Sequence, residues 1–217
     1  MSHSSAQTHI YIVGAQCTGK TTLVNALEAY FRQTLSPHEQ PAIVREVART
    51  VLVEHGFAAA DITSSPTKAL ALQKLILEGQ VRVEENALTR SSWILSDRSG
   101  VDPISYALRH VSRDAADALI QGPEWQVLKE RMAKSLIIVC ESGASWLNDD
   151  GVRLMPRDMQ DWTEFHALFC GLLDNLGLKY EVLPCSMTEV SQRVHFVVSK
   201  WADIREKVHE VAQNIWQ

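Results

Sequence analysis

Apolar residues along the chain follow two different spacings, and these predict the order of its strands and helices. Short apolar runs that are rich in β-branched residues predict strands. These runs lie at 10–13, 41–44, 93–96, 136–140 and 179–183. Longer stretches with a helical repeat separate them. This alternation predicts a three-layer α/β fold with a mainly parallel sheet of about five strands and helices on both faces.

The predicted helices begin and end at recognisable signals. Residues 23–35 keep a helical repeat, and Ser36-Pro37 ends it. Ser65-Pro66, a capping residue followed by proline, opens a helix that continues to about residue 90. Helical residues begin again at Asp102-Pro103, and a further helical stripe covers residues 162–176.

The C-terminal segment, about residues 187–216, predicts one long helix. Its apolar residues are spaced alternately by four and three, from Val190 through Trp201 to Ile215. Such a seam fits burial against the sheet, and it also fits the pairing of two subunits into a homodimer. Valine rather than leucine dominates the d-type positions, and Phe196 widens the apolar face, so we favour burial.

A glycine-rich segment follows the first strand and has the spacing of a phosphate-binding loop. It reads G-x-x-x-x-G-K-T from Gly14 to Thr21, so we expect the α/β fold to be of the P-loop NTPase type. The backbone N–H groups of such a loop converge on phosphate oxygens, and the helix after it favours negative charge at its N-terminus. We expect Lys20 to reach the terminal phosphates and Thr21 to ligate Mg²⁺. The predicted nucleotide-binding residues are Gly14, Ala15, Gln16, Cys17, Thr18, Gly19, Lys20, Thr21 and Thr22.

Asp97 follows the third predicted strand, where open α/β sheets bind their ligands. A carboxylate at this point can hold Mg²⁺, directly or through water, opposite Thr21. The alternative is a turn aspartate that caps the next helix. Its neighbour Arg98 is placed either to contact phosphate or to pair with a nearby acid.

Charged residues also follow the second predicted strand, which we expect to run into residues 45–49. Glu46 lies there between Arg45 and Arg49. A kinase that acts on a hydroxyl needs a carboxylate to orient that hydroxyl or take its proton, and cations to hold an anionic acceptor or developing charge. The alternative is a solvated strand end. The predicted acceptor-binding residues are Arg45, Glu46, Arg49, Arg98, Asp102 and Tyr106.

Residues 142–157 form a polar segment with charges and a glycine, and we interpret this segment as a small lid. Arg153 and Arg157 are expected to close on the transferring phosphoryl group, exclude water and stabilise charge. The alternative is an ordinary exposed loop. The predicted catalytic residues are Lys20, Glu46, Asp97, Arg153 and Arg157.

Length and composition set limits on the class of protein. The 217 residues, 46% of them hydrophobic, can build one sizeable core, so we expect a single domain with a small lid. A net charge of −5 disfavours a nucleic-acid polymer as partner. No run reaches the roughly 18 apolar residues of a membrane span. Cysteines without C-x-x-C spacing, and no apolar leader after Met1, predict a cytoplasmic protein.

The order of these motifs resembles the kinase domain of nicotinamide riboside kinases in bacterial NAD regulators. It is equally similar to the small AAA-type ATPase or kinase-like domains related to them. The resemblance covers about residues 9–185 and rests on GAQCTGKTTL, VREVART, LSDRSGVDPISYAL and WLNDDGVR. It implies a five-stranded parallel sheet with a lid, and ATP and Mg²⁺ as cofactors.

Position by position, the resemblance implies that Lys20 and Thr21 handle ATP and Mg²⁺, that Glu46 and Asp97 serve acceptor and metal, and that Arg153 belongs to the lid. The bacterial regulators carry an adenylyltransferase domain ahead of the kinase. About nine residues precede the first predicted strand here, so we expect that activity to be absent.

Two functions from different classes fit these patterns. The first is an ATP- and Mg²⁺-dependent phosphotransferase that acts on a hydroxyl of a nucleoside-like small molecule. The second is a regulatory ATPase or GTPase module whose slow hydrolysis signals its nucleotide state to a protein partner. The sequence lacks the guanine-reading N-K-x-D pattern, and the preference for ATP rests on the resemblance. We favour the kinase.

Overall fold

Five parallel strands form one sheet in the order β2-β3-β1-β4-β5. The structure is a computed structural model that describes residues 8–143 and 157–214, except for the side chains of 59 and 207–214. The strands are β1 (Ile10–Val13), β2 (Ala42–Val44), β3 (Ile94–Asp97), β4 (Leu136–Cys140) and β5 (Glu181–Leu183). This confirms the predicted five-stranded parallel sheet.

Helices connect the strands and cover the sheet. They are α1 (Lys20–Thr34), α2 (Val47–His55), α3 (Ala59–Ser64), α4 (Pro66–Leu88), α5 (Val101–His110), α6 (Arg113–Gln121), α7 (Pro123–Met132), α8 (Met159–Asn175) and α9 (Val190–Asn214). The predicted start of α4 is confirmed, because Ser65 Oγ accepts a 3.4 Å hydrogen bond from the N–H of Lys68 and Pro66 is the first helical residue. None of the helices in the described residues is long and apolar enough to cross a membrane.

Different helices cover the two faces of the sheet. Along β1, Ile10 and Ile12 point to one face and Tyr11 and Val13 to the other, and all four are fully buried. α1 and α9 pack on the first face. α2, α4, α5, α7 and α8 pack on the second. The predicted three layers are therefore present.

α9 packs against α1 and the sheet through an aromatic cluster. The Trp201 ring stacks on Trp93, with centroids 4.8 Å apart, and lies edge-on to Phe31 at 5.2 Å. Trp201 is 5% exposed, and Val197 is fully buried. Over the side chains that the structure describes, the C-terminal seam is thus used within the chain. Val197 and Trp201 are not available to pair a second subunit.

The expected run of β2 into residues 45–49 was wrong. β2 ends at Val44, and α2 begins at Val47 with Glu46 at its N-cap. Val47 and Val51 are both buried, and this spacing of four lets one face of a helix cover the core. Burial of that face decides the local structure over the β-branched composition of the segment.

The predicted lid lies mostly outside the described residues. This applies to 144–156, which include Arg153. Arg157 is described, and it precedes α8. Within the described residues, the candidate site is built from the phosphate loop, the carboxyl edge of the sheet, and helices α5, α8 and α9.

Candidate active site

The phosphate loop joins β1 to α1 with the backbone conformation that its glycines predict. Gly14 has a φ of +119°, and a Cβ there would lie 2.7 Å from the carbonyl oxygen of Cys140 on β4. Gly19 has a φ of +78° and immediately precedes Lys20, the first residue of α1. Both positions therefore favour glycine, and the loop leads directly into a helix N-terminus that attracts anions.

Lys20 is held over its own loop. It is 5% exposed, and its ammonium group donates hydrogen bonds to the carbonyl oxygen of Ala15 and, at 3.4 Å, to Oγ1 of Thr18. Burial and then the charge of Arg98 lower the pKa of Lys20 to about 8. Its present acceptors are neutral, and phosphate oxygens can replace them with a gain in charge pairing.

Helices α5 and α8 contact the other flank of the loop. Trp162 on α8 is fully buried, and its Nε1–H donates a 2.8 Å hydrogen bond to the carbonyl oxygen of Gln16. The hydroxyl of Tyr106 on α5 lies 3.4 Å from Oε1 of Gln16. Cys17 is 6% exposed and packs with Trp162 and Phe165, so reagents have little access to its thiol.

Thr21 and Asp97 face each other between the start of α1 and the end of β3. Thr21 Oγ1 donates a 2.7 Å hydrogen bond to Asp97 Oδ2. Asp97 is 1% exposed, and its Oδ1 is buried with no hydrogen-bond partner among the described residues. A buried carboxylate oxygen without a partner is costly, so this atom points to a water or cation ligand. Asp97 does not cap α5, whose N-cap is Gly100.

This donor set fits Mg²⁺ as it is bound together with nucleotide phosphates. Mg²⁺ prefers oxygen ligands and is usually held by one or two carboxylates, with waters and phosphates completing its shell. The parts of the chain that the structure describes contain no group of three His, Cys, Asp or Glu that could hold a metal. A cation at Thr21 and Asp97 would therefore depend on bound phosphate.

Arg98 joins two carboxylates at the same edge of the sheet. Its Nε donates to Glu46 Oε1 at 2.7 Å, and its Nη1 donates to Asp102 Oδ1 at 3.0 Å. No side chain of the three is more than 11% exposed. Burial opposes the ionisation of Glu46, but the charge of Arg98 and a hydrogen bond from Arg49 outweigh it and lower the pKa of Glu46 to about 2. Burial raises the pKa of Asp102, against the charge of Arg98.

One more of the predicted acceptor residues, Arg49, joins this group, and Ser99 holds Asp102. Arg49 Nε donates a 2.7 Å hydrogen bond to Glu46 Oε2. Asp102 Oδ2 accepts hydrogen bonds from the N–H and the hydroxyl of Ser99, at 2.8 and 3.0 Å. Both oxygens of Asp102 are thus engaged by Arg98 and Ser99. Asp102 holds Arg98 in place, and its binding of an acceptor stays a prediction.

Arg45 is not brought to this group, contrary to the prediction. Its Nη1 donates to Asn25 Oδ1 at 2.6 Å, and its Nη2 pairs with Glu28, both on α1. The Arg45 side chain is 53% exposed. The partners of Arg45 thus lie on α1, whereas those of Glu46 are Arg49 and Arg98.

A cavity of about 520 Å³ opens beside the phosphate loop, between α5 and α8. Gln16 lines it from the loop, and the ring of Tyr106 lies edge-on to Phe165 at 5.1 Å. The volume is within the range of small-molecule sites. The lining residues are Gln16, Thr63, Tyr106, Leu108, Arg109, His110, Arg157, Asp161, Phe165 and Leu168.

Two arginines share one carboxylate at this cavity. Arg157 Nη2 donates to Asp161 Oδ1 at 2.9 Å, and Arg109 also pairs with Asp161. Arg157, a predicted lid residue, is 81% exposed and lies at the rim. Arg109 and Asp161 were not predicted as site residues from the sequence. Helical spacing could have indicated them. Tyr106 and Arg109 are three residues apart and share one face of α5, and Asp161 and Phe165 are four apart and share one face of α8.

Arg193 is a further residue that the sequence analysis missed. It lies near the start of α9, is 6% exposed, and its Nη2 donates a 2.9 Å hydrogen bond to the carbonyl oxygen of Thr18 in the phosphate loop. It precedes Val197 and Trp201 by four and eight residues, so it lies on their buried face. An arginine at the helical spacing of the apolar residues could have indicated a buried, functional side chain.

Comparison with known proteins assigns a family to this arrangement. Residues 9–193 match the model of a family described as an AAA domain. The chain belongs to this AAA-domain family. The matched range includes the phosphate loop, Glu46, Arg98 and Arg193. No curated protein matches the sequence significantly.

Solved structures share the fold of this AAA domain. A NadR protein in complex with NR superposes with a TM-score of 0.66 at 20% identity, covering 88% of this chain and 50% of that chain. A NadR protein in complex with NAD and AMP-PNP gives 0.62 at 16% identity, covering 90% and 49%. Deoxyadenosine kinase from M. mycoides with bound dATP gives 0.60 at 12% identity, covering 89% and 98%.

These likenesses confirm the predicted P-loop kinase-like fold, and the family-model match over residues 9–193 confirms the predicted AAA-type family. The AAA domain spans about half the length of the NadR chains and nearly all of the deoxyadenosine kinase. At identities of 20% or less, the similarity concerns the fold.

Proposed function

We propose that this protein is an ATP- and Mg²⁺-dependent phosphotransferase that acts on a hydroxyl of a nucleoside-like small molecule. The observation that carries the proposal is that Gln16 borders two sites. Its backbone belongs to the phosphate loop, whereas its side chain meets Tyr106 and lines the cavity of about 520 Å³. A phosphate site that adjoins a cavity of small-molecule size suits transfer between two bound substrates.

The nucleotide side of the proposal uses the loop, Lys20, Thr21 and Asp97. Lys20 pairs with the terminal phosphates, and the loop N–H groups bind their oxygens. Thr21 and the unpartnered Oδ1 of Asp97 hold Mg²⁺, which when bound neutralises charge on the β- and γ-phosphates. Neighbours solved with AMP-PNP and with dATP support an adenine nucleotide as the phosphate donor.

The acceptor side of the proposal centres on Glu46. Because Arg98 and Arg49 hold its pKa at about 2, Glu46 is ionised at neutral pH and is a weak base. It therefore orients the acceptor hydroxyl through a hydrogen bond, and each carboxylate oxygen keeps acceptor capacity beside its arginine. Phosphoryl transfer relies on positioning and charge stabilisation more than on a strong base. Arg98 stabilises the developing charge from its place between Glu46 and Asp102.

The walls of the cavity support an acceptor with a planar ring. Tyr106 and Phe165 supply aromatic surface, and Arg109 and Asp161 supply polar groups at one side. The NadR protein with NR and the deoxyadenosine kinase with its products dcmp and dcdp support a nucleoside-like compound. Arg157 at the rim and Arg153, outside the described residues, remain the proposed lid arginines.

The proposal is tested by ADP release from the purified protein with Mg-ATP, alone and with nucleosides, deoxynucleosides and nicotinamide riboside in turn. Lys20→Ala gives the background, and mass spectrometry identifies the product. One acceptor is expected to raise the release rate at least about tenfold and to gain one phosphate. Slow hydrolysis of ATP or GTP that no acceptor stimulates would contradict the kinase and support the regulatory NTPase.

A further inference from the structure

Arg98 has an unusual backbone conformation for the residue that joins Glu46 to Asp102. Its φ is +83°, and Cys17 is the other residue besides glycine with positive φ in the described part of the chain. An arginine adopts this left-handed conformation when its surroundings enforce it. Two hydrogen bonds do so: Arg98 N–H donates to the carbonyl oxygen of Ile12 at 3.0 Å, and the carbonyl of Arg98 accepts from the Ser96 hydroxyl at 2.8 Å.

The hydroxyl of Ser96 is itself fixed in direction. Ser96 is fully buried, and its Oγ accepts a 3.3 Å hydrogen bond from Nε2 of Gln80 on α4. The same amide nitrogen donates to Glu84 Oε1 at 2.8 Å. An amide NH₂ only donates, so the single proton of Ser96 is left to point at the carbonyl of Arg98.

The far end of this chain of hydrogen bonds is anchored in the core. Glu84 is fully buried, and its Oε2 accepts a 2.8 Å hydrogen bond from the Tyr11 hydroxyl and pairs with Arg131. Tyr11, Glu84, Gln80 and Ser96 are each at most 1% exposed, and the Arg131 side chain at the outer end of this chain of hydrogen bonds is 13% exposed. Such buried networks are rigid when every member is satisfied.

We propose that Ser96 is a positioning residue, which with Gln80 fixes the left-handed turn at Arg98 and so aims its guanidinium at Glu46 and Asp102. Asp97 lies between Ser96 and Arg98, so the hydrogen bond from Ser96 to the Arg98 carbonyl also keeps the Asp97 carboxylate oriented toward Thr21. The proposal rests on the proposed function in one respect, because it makes Arg98 matter for phosphoryl transfer. Ser96 itself touches no substrate.

The placement of Arg98 can be measured without any activity. In the ¹H–¹⁵N spectrum of the full chain, the Arg98 Nε–H group is identified by its loss in Arg98→Lys. In the wild type this N–H donates to Glu46 Oε1 and both side chains are 11% exposed, so we expect slow exchange with solvent. Ser96→Ala is expected to speed its exchange by about tenfold or more, because the guanidinium is no longer held against Glu46. Unchanged exchange in Ser96→Ala overturns the proposal.

Ser91, which lies just before β3, provides a matched control. Ser91 also donates its hydroxyl to a backbone carbonyl, that of Gln40, at 2.7 Å, at the opposite end of β3. Ser91→Ala is expected to lower the melting temperature by a similar amount while leaving the Arg98 Nε–H exchange unchanged. An equal effect of both variants on that exchange would assign Ser96 a general structural role and overturn the proposal.

Activity then separates positioning from stability. Ser96→Ala is expected to lower kcat of acceptor-dependent ADP release about five- to tenfold, with nucleotide Kd unchanged. Ser96→Thr, which keeps the hydroxyl, is expected to recover most of the rate. In the Arg98→Lys background, Ser96→Ala is expected to lower kcat little further. If the two substitutions lower kcat by fully additive free energies, the proposal is overturned. If no acceptor supports transfer, the proposed function fails, and the exchange measurement still decides the role of Ser96.

Discussion

Glu46 and Arg98 are 52 residues apart in the sequence and meet through a 2.7 Å hydrogen bond between Oε1 and Nε. They come from the carboxyl ends of β2 and β3, which are neighbours in the sheet. Arg49 binds the other oxygen of Glu46. The contact thus creates an ionised carboxylate with a fixed orientation beside the phosphate loop, and two predictions follow from it.

The first prediction concerns catalysis. Glu46→Gln is expected to leave ATP binding within about twofold of the wild type and to lower acceptor-dependent kcat by about 100-fold or more, because a neutral amide cannot orient the hydroxyl as a carboxylate does. Binding is measured by calorimetry and turnover by ADP release. Glu28→Gln is the control, since Glu28 pairs with Arg45 on the outside of α1. Equal loss of ATP affinity and turnover in Glu46→Gln would rule out an acceptor role.

The second prediction concerns stability against pH. The pKa of Glu46 in the folded protein is about 2, below its ordinary value of 4.5, so ionised Glu46 stabilises the fold above pH 4.5. That contribution is lost as the pH falls from 4.5 toward 2. The wild type should therefore unfold at higher urea concentration than Glu46→Gln at neutral pH. The difference should shrink by about 2 kcal/mol between roughly pH 6 and pH 3, measured by urea unfolding. A difference that does not depend on pH would contradict the ion pair.

Much of the phosphate site could be predicted because its signals are local. The spacing from Gly14 to Thr21 specifies a loop conformation, and the apolar run before it specifies the strand that presents the loop. Asp97 was predictable from its place at a strand end, since the carboxyl ends of parallel strands share one edge. The structure places Asp97 within hydrogen-bond distance of Thr21, in agreement with that reasoning.

The rest depends on contacts between elements distant in sequence. The pairing of Glu46 with Arg98 requires β2 and β3 to be adjacent, and no local pattern states the strand order. Arg45 carries the same charge as Arg49, but the two point in different directions once β2 ends at Val44. Arg193 reaches the loop only because α9 returns across the sheet.

The third prediction follows from Arg193. Its guanidinium supports the carbonyl of Thr18 from behind the loop and adds positive charge there. Arg193→Met keeps the apolar stem and is expected to weaken nucleotide binding by about tenfold. Arg205→Met is the matched control, because Arg205 lies on the same helix with its guanidinium over Trp201, 4.5 Å from the ring centroid. Kd values for Mg-ADP from calorimetry should separate the two variants, and equal values would remove Arg193 from the site.

The fourth prediction uses the lowered pKa of Lys20. In the free protein this group, with a pKa of about 8, is charged below that pH and neutral above it. Phosphate binds the charged form, so the Kd for Mg-ADP is expected to be constant below pH 8 and to rise by about tenfold per pH unit above it. Lys20→Arg does not titrate in this range and should bind without this dependence. A pH-independent Kd in the wild type would contradict the pKa shift.

The fifth prediction concerns the buried Oδ1 of Asp97, which has no hydrogen-bond partner in the described residues. If this oxygen and Thr21 hold Mg²⁺, Asp97→Asn should reduce the gain in ADP affinity that Mg²⁺ provides, because an amide is a weaker ligand for a hard cation. The Kd for ADP is measured with Mg²⁺ and with EDTA. Asp97→Asn is expected to leave the value in EDTA unchanged and to lower the ratio between the two by about tenfold or more.

Asp102→Asn provides the matched control for this measurement. Asp102 is also a buried aspartate at the same edge of the sheet, but its oxygens are engaged by Arg98 and Ser99. Its substitution can disturb Arg98 and lower turnover, yet the ratio of affinities in Mg²⁺ and EDTA should remain that of the wild type. If both variants lower this ratio equally, the metal dependence comes from the general charge of the site. A lower ratio in Asp97→Asn but not in Asp102→Asn assigns the cation to Thr21 and Asp97. Of the two aspartates, only Asp97 has an oxygen without a hydrogen-bond partner among the described residues, and this oxygen is free to bind a ligand.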